Sequence, residues 1–363
     1  MFSEIYEEVW NRVAASPEAP LDQAEFGSGG ALDMETLGRS RHLKAILYDG
    51  ALQAVSPLYV TSICKERCTY CNYRAGSSDP RLQRVRLSDA EIEAEVEFLV
   101  ESRGLRVVEL VYASDPLIKV ADIARHITLT RRILERHGAI NVGLSCEPLA
   151  VDDYRRLVDA GLGFSVVWME TYDRARYVDY HPGTQTKSDF FYRLDCYDRM
   201  IEAGVPGVGY GVLNGLADWR AEWSMLFAHQ RYLRERLGRG PNILGFPRLK
   251  AAPGASYQER QLCPTDAQLR ALVAQHNILF PEARPFISTR ENYDLCLQLA
   301  SGGGCLFTFN CSTVPGGYTK PHAGPQFASH TFDTLSHAER VRAAGHRIVW
   351  DWREQKPAIM KIA

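Results

Sequence analysis

Eight short runs of β-branched and aromatic residues recur along the chain, each followed by a longer stretch with apolar residues at three- and four-residue spacing. This alternation marks repeated βα units around a parallel sheet, because parallel strands require a crossover and a helix supplies it. The expected strands are Leu58–Ile63, Val107–Ala113, Ile140–Ser145, Phe164–Glu170, Gly207–Leu213, Ile243–Leu249, Arg284–Ser288 and Leu306–Asn310. Helical periodicity covers Asp89–Ser102, Val120–His137, Val151–Ala160 and Asp189–Ala203 among others. Eight such units suit a closed barrel better than an open sheet, and 363 residues accommodate one barrel with appended helices.

The expected organisation is therefore an α/β protein built on a (β/α)8 TIM-type barrel over residues 51–314. A helical extension over 1–50 precedes it, with Gly27–Gly30 as a turn between two helices. A C-terminal extension over 315–363, expected to pack on the barrel, carries a last helix near Ser336–Ala344 and a short strand at Arg347–Trp350. No solenoid-period repeat and no low-complexity tract interrupts this pattern.

A net charge of -2 with no long Lys/Arg block gives no footprint for nucleic acid or an anionic membrane, so a small-molecule substrate is expected. The acidic, amphipathic start MFSEIYEEVWNRVAAS lacks the basic and apolar parts of a secretory signal, and no apolar run reaches transmembrane length. A cytoplasmic location follows as the expectation. Nine cysteines, scattered apart from one tight group, argue for metal ligation plus buried thiols and against a disulfide framework in a reducing compartment.

That group is Ile63-Cys-Lys-Glu-Arg-Cys-Thr-Tyr-Cys-Asn-Tyr73, directly after the first expected strand. Cys64, Cys68 and Cys71 can wrap one face of a cubane. Thiolates are the ligands of iron–sulfur clusters, and three of them leave one of four irons open for a substrate or cofactor. The plainer alternative is a zinc site completed by a distant His or Cys.

The C-x3-C-x2-C spacing, with Tyr70 just before the third cysteine, resembles the signature of the radical S-adenosylmethionine (SAM) superfamily. The resemblance implies that a [4Fe–4S] cluster binds SAM through its open iron and cleaves it to a 5′-deoxyadenosyl radical, with Tyr70 near the adenine. It also implies an external electron donor such as flavodoxin or ferredoxin. Further stretches resemble one branch, the radical SAM aromatic amino acid lyases: 3-methyl-2-indolate synthase acting on tryptophan, the 2-iminoacetate synthase of thiamine synthesis acting on tyrosine, and the tyrosine-cleaving hydrogenase maturase. They are Met169-Glu-Thr-Tyr172, Tyr180-His-Pro-Gly183, Lys187-Ser-Asp189, Arg193-Leu-Asp195, Gly209–Gly215, Phe246-Pro-Arg248, Ile287-Ser-Thr-Arg-Glu291 and Pro315-Gly-Gly-Tyr318, spread from about Leu43 onward.

The site expected from the residues and this likeness has three parts. Arg290, just past the seventh strand, suits bidentate grip of a substrate carboxylate, and the resemblance adds Thr308 and Ser312 on the eighth strand as hydrogen-bonding helpers. A pair with Glu291 is the plainer reading of Arg290. Tyr59 matches a site tyrosine of the tryptophan lyase, against ordinary core packing. For SAM, Glu147 and Glu170 at strand ends can take ribose hydroxyls or the amine, and Arg193 the methionyl carboxylate. Where most superfamily members have a Gly-Gly-Glu-like turn after the second strand, this chain reads Tyr112-Ala-Ser-Asp115, leaving Ser114 and Asp115 as substitutes.

The maturase role is disfavoured, since no C-x2-C follows near Lys361-Ile-Ala363. The run Phe307–Thr313 and the Cys71–Gly76 continuation depart from those associated with tyrosine lyases, leaning the reading towards tryptophan and 3-methyl-2-indolate. The alternative is a tyrosine lyase giving 2-iminoacetate and p-cresol, or another radical SAM mutase or synthase. A non-catalytic iron–sulfur carrier or zinc scaffold remains the rival outside these enzymes.

Overall fold

Each of the eight runs forms a strand in the computed structural model of the protein: β1 (Leu52–Thr61), β2 (Val107–Tyr112), β3 (Asn141–Ser145), β4 (Leu162–Val166), β5 (Gly207–Gly211), β6 (Ile243–Gly245), β7 (Arg284–Ile287) and β8 (Leu306–Thr308). The structure describes residues 1–15, 33–183, 186–259, 261–309, 311–320, 324–327, 329 and 334–351. The expected Gly27–Gly30 turn lies outside the described residues. Consecutive strands pair in parallel from β2 to β8, and β1 pairs with both β2 and β8, so the sheet closes into a barrel.

The first strand starts at Leu52 rather than Leu58. Pro57 reads as a strand breaker in sequence. It lies past the end of the β8 pairing, which stops at Val55, on the part of β1 that pairs with β2. Alternate residues of the strands face two cores, as expected for a parallel sheet covered on both faces. Leu52, Ala54, Leu58 and Val60 pack outward with the helices. Val55, Val107, Phe164, Val166, Ile243 and Leu306 fill the barrel interior, with Trp168 and Phe286 packed against them.

Helices surround the sheet: α1 (Tyr6–Ala15), α2 (Met34–Tyr48), α3 (Asp89–Glu97), α4 (Val120–Arg136), α5 (Val151–Asp159), α6 (Arg174–Tyr180), α7 (Phe190–Leu194), α8 (Cys196–Glu202), α9 (Trp219–Leu237), α10 (Asp266–Leu279), α11 (Tyr293–Ser301) and α12 (Thr334–Ala343). Their starts are written in the sequence. Ser88 with Glu91 and Thr265 with Gln268 form capping boxes on α3 and α10. The single helix expected over Asp189–Ala203 is split at Asp195, whose carboxylate accepts from the backbone N–H and the hydroxyl of Ser3 at 2.9 and 2.6 Å. The chain start thus docks where the helix breaks, and Phe2 stacks on His229 of α9 at 3.9 Å. On α2, Lys44 donates to the Pro281 and Ala283 carbonyls and Tyr48 to that of Glu282, fixing the helix to the turn before β7. A short strand β9 (Ile348–Val349) pairs in parallel with Leu52 and Gln53. No helix among the described residues is long and apolar enough to cross a membrane.

Glycines set how closely the strands and their inner side chains pack. A Cβ on Gly209 would stand 2.2 Å from a Val166 methyl, and one on Gly211 only 1.8 Å from the Gly245 carbonyl oxygen. The second contact is with backbone, so relief requires the β5–β6 pairing to shift. Gly211→Ala should therefore destabilise the apoprotein by about 1–3 kcal/mol. Thermal melting checks this, and an unchanged midpoint would contradict it.

Candidate active site

The segment joining β1 to α3 carries the three cysteines and is tied to the barrel mouth by its own backbone. The Lys65 N–H donates to the Ser114 carbonyl after β2 at 3.0 Å, and the Thr69 N–H to Tyr180 at the end of α6, also at 3.0 Å. Arg84 donates to the carbonyls of Ser62, Tyr73 and Arg74 at 2.6–2.7 Å, holding the two arms of the loop together. The buried Asn72 side chain donates to Asp79 and the Pro325 carbonyl and accepts from Ser77 and the Gly254 N–H. These bonds give the loop one shape.

Cys64, Cys68 and Cys71 all face one cavity of about 1130 Å³, counted with its open mouth. Among the described residues no three His, Cys, Asp or Glu side chains close on one point as a single metal ion requires. Three thiols lining one cavity are a ligand set suited to a [4Fe–4S] cluster with one open iron. Burial pushes all three thiols up, Cys64 to about 11. Iron must displace their protons to bind.

Tyr70, between the last two cysteines, is fixed by a chain of polar contacts. His181 Nδ1 lies 2.7 Å from the Tyr177 carbonyl, which can only accept. His181 Nε2 is therefore the acceptor for the Tyr70 hydroxyl at 2.7 Å. His181, from the Tyr180-His-Pro-Gly183 stretch, orients this tyrosine.

On the neighbouring wall Glu170 adopts the left-handed backbone region, with φ of 74°. Such a conformation in a non-glycine residue stores strain and is frequent at functional sites. Its carboxylate meets Lys187 at 2.5 Å and Arg193 at 3.2 Å. Burial alone would raise this carboxyl, but the two cations outweigh it and hold the group down at about 2. Arg193 also gives its Nε and Nη2 hydrogens to the Trp168 carbonyl at 2.8 and 2.6 Å. Glu147 lines the same cavity, with Lys65 at 3.6 Å and its second oxygen without a partner. Glu147, Glu170, Lys187, Arg193 and Ser114 all line this cavity.

Arg290 lines the same cavity. The plain reading, a pair with Glu291, is overturned: Glu291 binds Arg248 at 2.7 Å and Lys250 at 3.5 Å. The Arg290 guanidinium stacks on the Phe327 ring at 3.5 Å, and its Nε meets no acceptor. Among the described residues no carboxylate lies within ion-pair distance of it, and burial pushes its pKa down. A desolvated cation without a counter-charge, opening on a cavity, is a ready partner for an anion. Tyr59 also lines the cavity, and its hydroxyl donates at 2.8 Å to Gln326, whose amide in turn points to Cys71 sulfur at 3.6 Å.

Three sequence expectations are corrected. Asp115 does not line the cavity: Arg86 at 2.6 and 2.7 Å and Thr61 at 2.9 Å occupy its oxygens, and its carboxyl belongs to the wall. Thr308 is spent within the barrel, accepting from the Thr289 N–H at 2.9 Å, so it holds the Arg290 loop and does not reach the cavity. Ser312 lies beyond β8, its N–H donating to the Tyr318 hydroxyl at 3.1 Å, away from the cavity. Sequence reasoning also missed Lys187, Trp168, Gln326 and Phe327 as cavity residues. Only Lys187 had a signal, as part of the Lys187-Ser-Asp189 stretch.

A three-thiolate loop after the first strand, opening on the strand ends of a parallel barrel, defines a radical SAM enzyme. The Radical SAM superfamily model matches residues 58–228, in keeping with a [4Fe–4S] cluster and SAM as the cofactors. The chain is similar to enzymes of the aromatic amino acid lyase branch. It is 29% identical to the 2-iminoacetate synthase of Escherichia coli (strain K12) over 327 residues, covering 86% of this chain and 81% of that one. The Salmonella typhimurium 2-iminoacetate synthase is likewise 29% identical over 329 residues, covering 86% and 81%. The structure is similar to that of HydG, a maturase of the [FeFe]-hydrogenase, with a TM-score of 0.82 and 27% identity over 96% of this chain and 75% of that one. Methylornithine synthase shares the fold, with a TM-score of 0.67 and 18% identity over 87% of this chain and 88% of that one.

Anaerobic reconstitution should give about four irons per chain, and Ala at Cys64, Cys68 or Cys71 should abolish SAM cleavage. Full activity of Cys68→Ala would sink the cluster assignment. Cys305 and Cys311 are buried away from the cavity, so Ala at either should leave the iron content and absorbance unchanged. Loss of iron in either variant would overturn that placement.

Proposed function

We propose that the protein is a radical SAM carbon–carbon lyase that breaks the Cα–Cβ bond of an aromatic L-amino acid, with tyrosine as substrate and 2-iminoacetate and p-cresol as products. The observation that carries this reading is the Arg290 guanidinium, half-buried and with no ion-pair partner among the described residues, in the same cavity as the three cysteines. The departures at Phe307–Thr313 and after Cys71 favoured tryptophan in the sequence. The two 2-iminoacetate synthases to which the chain is similar shift the preference to tyrosine.

When bound, the cluster and SAM supply a carbon-centred radical that takes a hydrogen atom from the substrate amine. Arg290 grips the substrate carboxylate with two parallel N–H donors, and Phe327 beneath it fixes the plane of the fork. Holding the carboxylate there turns the α-amine towards the cysteine side. Glu170, clamped by Lys187 and Arg193, and Glu147, with one oxygen that meets no partner among the described residues, would hold the cofactor's amine and ribose hydroxyls. Ser114 offers a further hydroxyl on that wall, and Tyr59 and Trp168 wall in the aromatic ring. Removal of the amine hydrogen lets the Cα–Cβ bond break, leaving 2-iminoacetate and a 4-hydroxybenzyl radical. One electron from an external donor such as flavodoxin or ferredoxin, with one proton, turns the latter into p-cresol. Position relative to the radical governs the outcome more than any acid–base pair.

Anaerobic incubation with SAM, a reductant and each aromatic amino acid tests this, with p-cresol from tyrosine as the expected product. Formation of 3-methyl-2-indolate from tryptophan, without cresol from tyrosine, would replace the tyrosine reading by the tryptophan one. Arg290→Ala should weaken substrate binding by about 2–5 kcal/mol, the loss expected for a desolvated carboxylate deprived of its cation. SAM should still be cleaved slowly while cresol per deoxyadenosine falls and iron content stays constant. A normal cresol yield at low tyrosine concentration would refute the assignment.

A further inference from the structure

Among the described residues, Glu109 in the barrel interior is a further ionisable group with no ion-pair or hydrogen-bond partner. Glu109 sits in the middle of β2, between Val107, which packs in the interior cluster, and Val111, which lines the cavity. Alternate strand residues share a face, so Glu109 also points inward, one pleat below the cavity lining. Its register partners are Pro57 on β1 and Gly143 on β3, neither of which has a side-chain donor. Among the described residues nothing donates to its carboxyl, which is 5% exposed. The polar neighbour above it is engaged elsewhere, since the Tyr59 hydroxyl donates to Gln326. With burial unopposed, the carboxyl is pushed up to about 7.

Leaving an acid unpartnered in a barrel interior costs stability, and an apolar residue would pack there without that cost. The position makes sense if a ligand completes it. Both Arg290 and Glu109 act electrostatically on Tyr59 and on Cys311, so the two groups flank the same part of the interior, yet no ion pair joins them. A molecule with a carboxylate at one end and a polar hydrogen on an aromatic ring at the other would satisfy both.

We propose that Glu109 is a positioning and specificity residue that accepts the hydrogen bond of the polar hydrogen on the substrate's aromatic ring, so that the amino acid spans the interior from Arg290 to Glu109. This rests on the aromatic amino acid reading above. The shared chemistry is an O–H or N–H on an aromatic ring; tyrosine supplies the first and tryptophan the second. Phenylalanine and O-methyltyrosine offer neither and leave the carboxyl unpaired.

The test uses reconstituted holoenzyme, wild type and the Glu109→Gln and Glu109→Leu variants, with tyrosine, tryptophan, phenylalanine and O-methyltyrosine. Readouts are KM, kcat and aromatic product per deoxyadenosine, with iron content and melting temperature as checks on folding. For the donor-bearing substrate, Glu109→Leu should lower kcat/KM roughly 10- to 100-fold, the range for removing the partner of a buried donor, chiefly through KM and uncoupling. Phenylalanine or O-methyltyrosine turnover should rise in the same variant. Glu109→Gln keeps an acceptor oxygen and should retain most tyrosine or tryptophan turnover. An equal loss for all four amino acids in Glu109→Leu, or no loss for the donor-bearing one, would overturn the proposal while leaving the lyase reading intact. A misfolded Leu variant leaves the decision to Glu109→Gln, where the proposal fails if the preference for donor-bearing rings vanishes. A wild-type enzyme that turns over no aromatic amino acid would overturn both.

Discussion

Closure of the sheet through β1 is the constraint on which the site depends. Because β1 pairs with β8 along its first half and with β2 along its second, its C-terminal end is fixed at the barrel rim, and the cysteine segment must leave from there. Backbone bonds from Lys65 to Ser114 and from Thr69 to Tyr180 then tie that segment to its neighbours. The cavity that results has walls from strands distant in sequence and three thiols along one edge. Without the closed ring, Arg290 beyond β7 would have no fixed relation to Cys64, Cys68 and Cys71.

Within that ring the charges divide into two kinds. Glu170 and Arg193 are buried and, with the half-buried Lys187, mutually compensated, as are Arg248 and Glu291 with Lys250. Such clusters hold their members in one geometry, whatever their net stability. Arg290, half-buried, and Glu109, buried, have no ion-pair partner among the described residues, and the proposed substrate would lie between them. Uncompensated burial costs stability that a protein recovers only when a ligand supplies the missing partner. The difference separates the residues that build the cavity from those that await its occupant.

The barrel was legible because its signals are local: the repeated strand-then-helix periodicity, and caps such as Ser88 and Thr265 at helix starts. The cluster loop was legible for the same reason, three thiols within one short segment. Arg290 was found from its place after a strand. Its freedom from Glu291 was not, since that depends on Arg248 and Lys250 reaching the acid first. Asp115 and Thr308 were misplaced for the converse reason. Both sit at strand ends, where site residues gather, but Arg86 and the Thr289 N–H use up their polar atoms. Gln326 and Phe327 reach the cavity from a Gly- and Pro-rich stretch with no periodicity, and nothing in their spacing marks them. Glu109 was hidden inside an apolar run that read simply as a strand.

The account reduces to one geometric claim: an aromatic amino acid lies in the barrel with its carboxylate on Arg290, its amine towards the cysteine loop and its ring directed to Glu109. A crystal structure of the reconstituted holoenzyme with SAM and tyrosine, or tryptophan, tests it directly. The expected result is a bidentate carboxylate on the Arg290 guanidinium and the ring O–H or N–H within hydrogen-bond distance of a Glu109 oxygen. An amino acid bound with its carboxylate elsewhere, and Arg290 still stacked alone on Phe327, would contradict it.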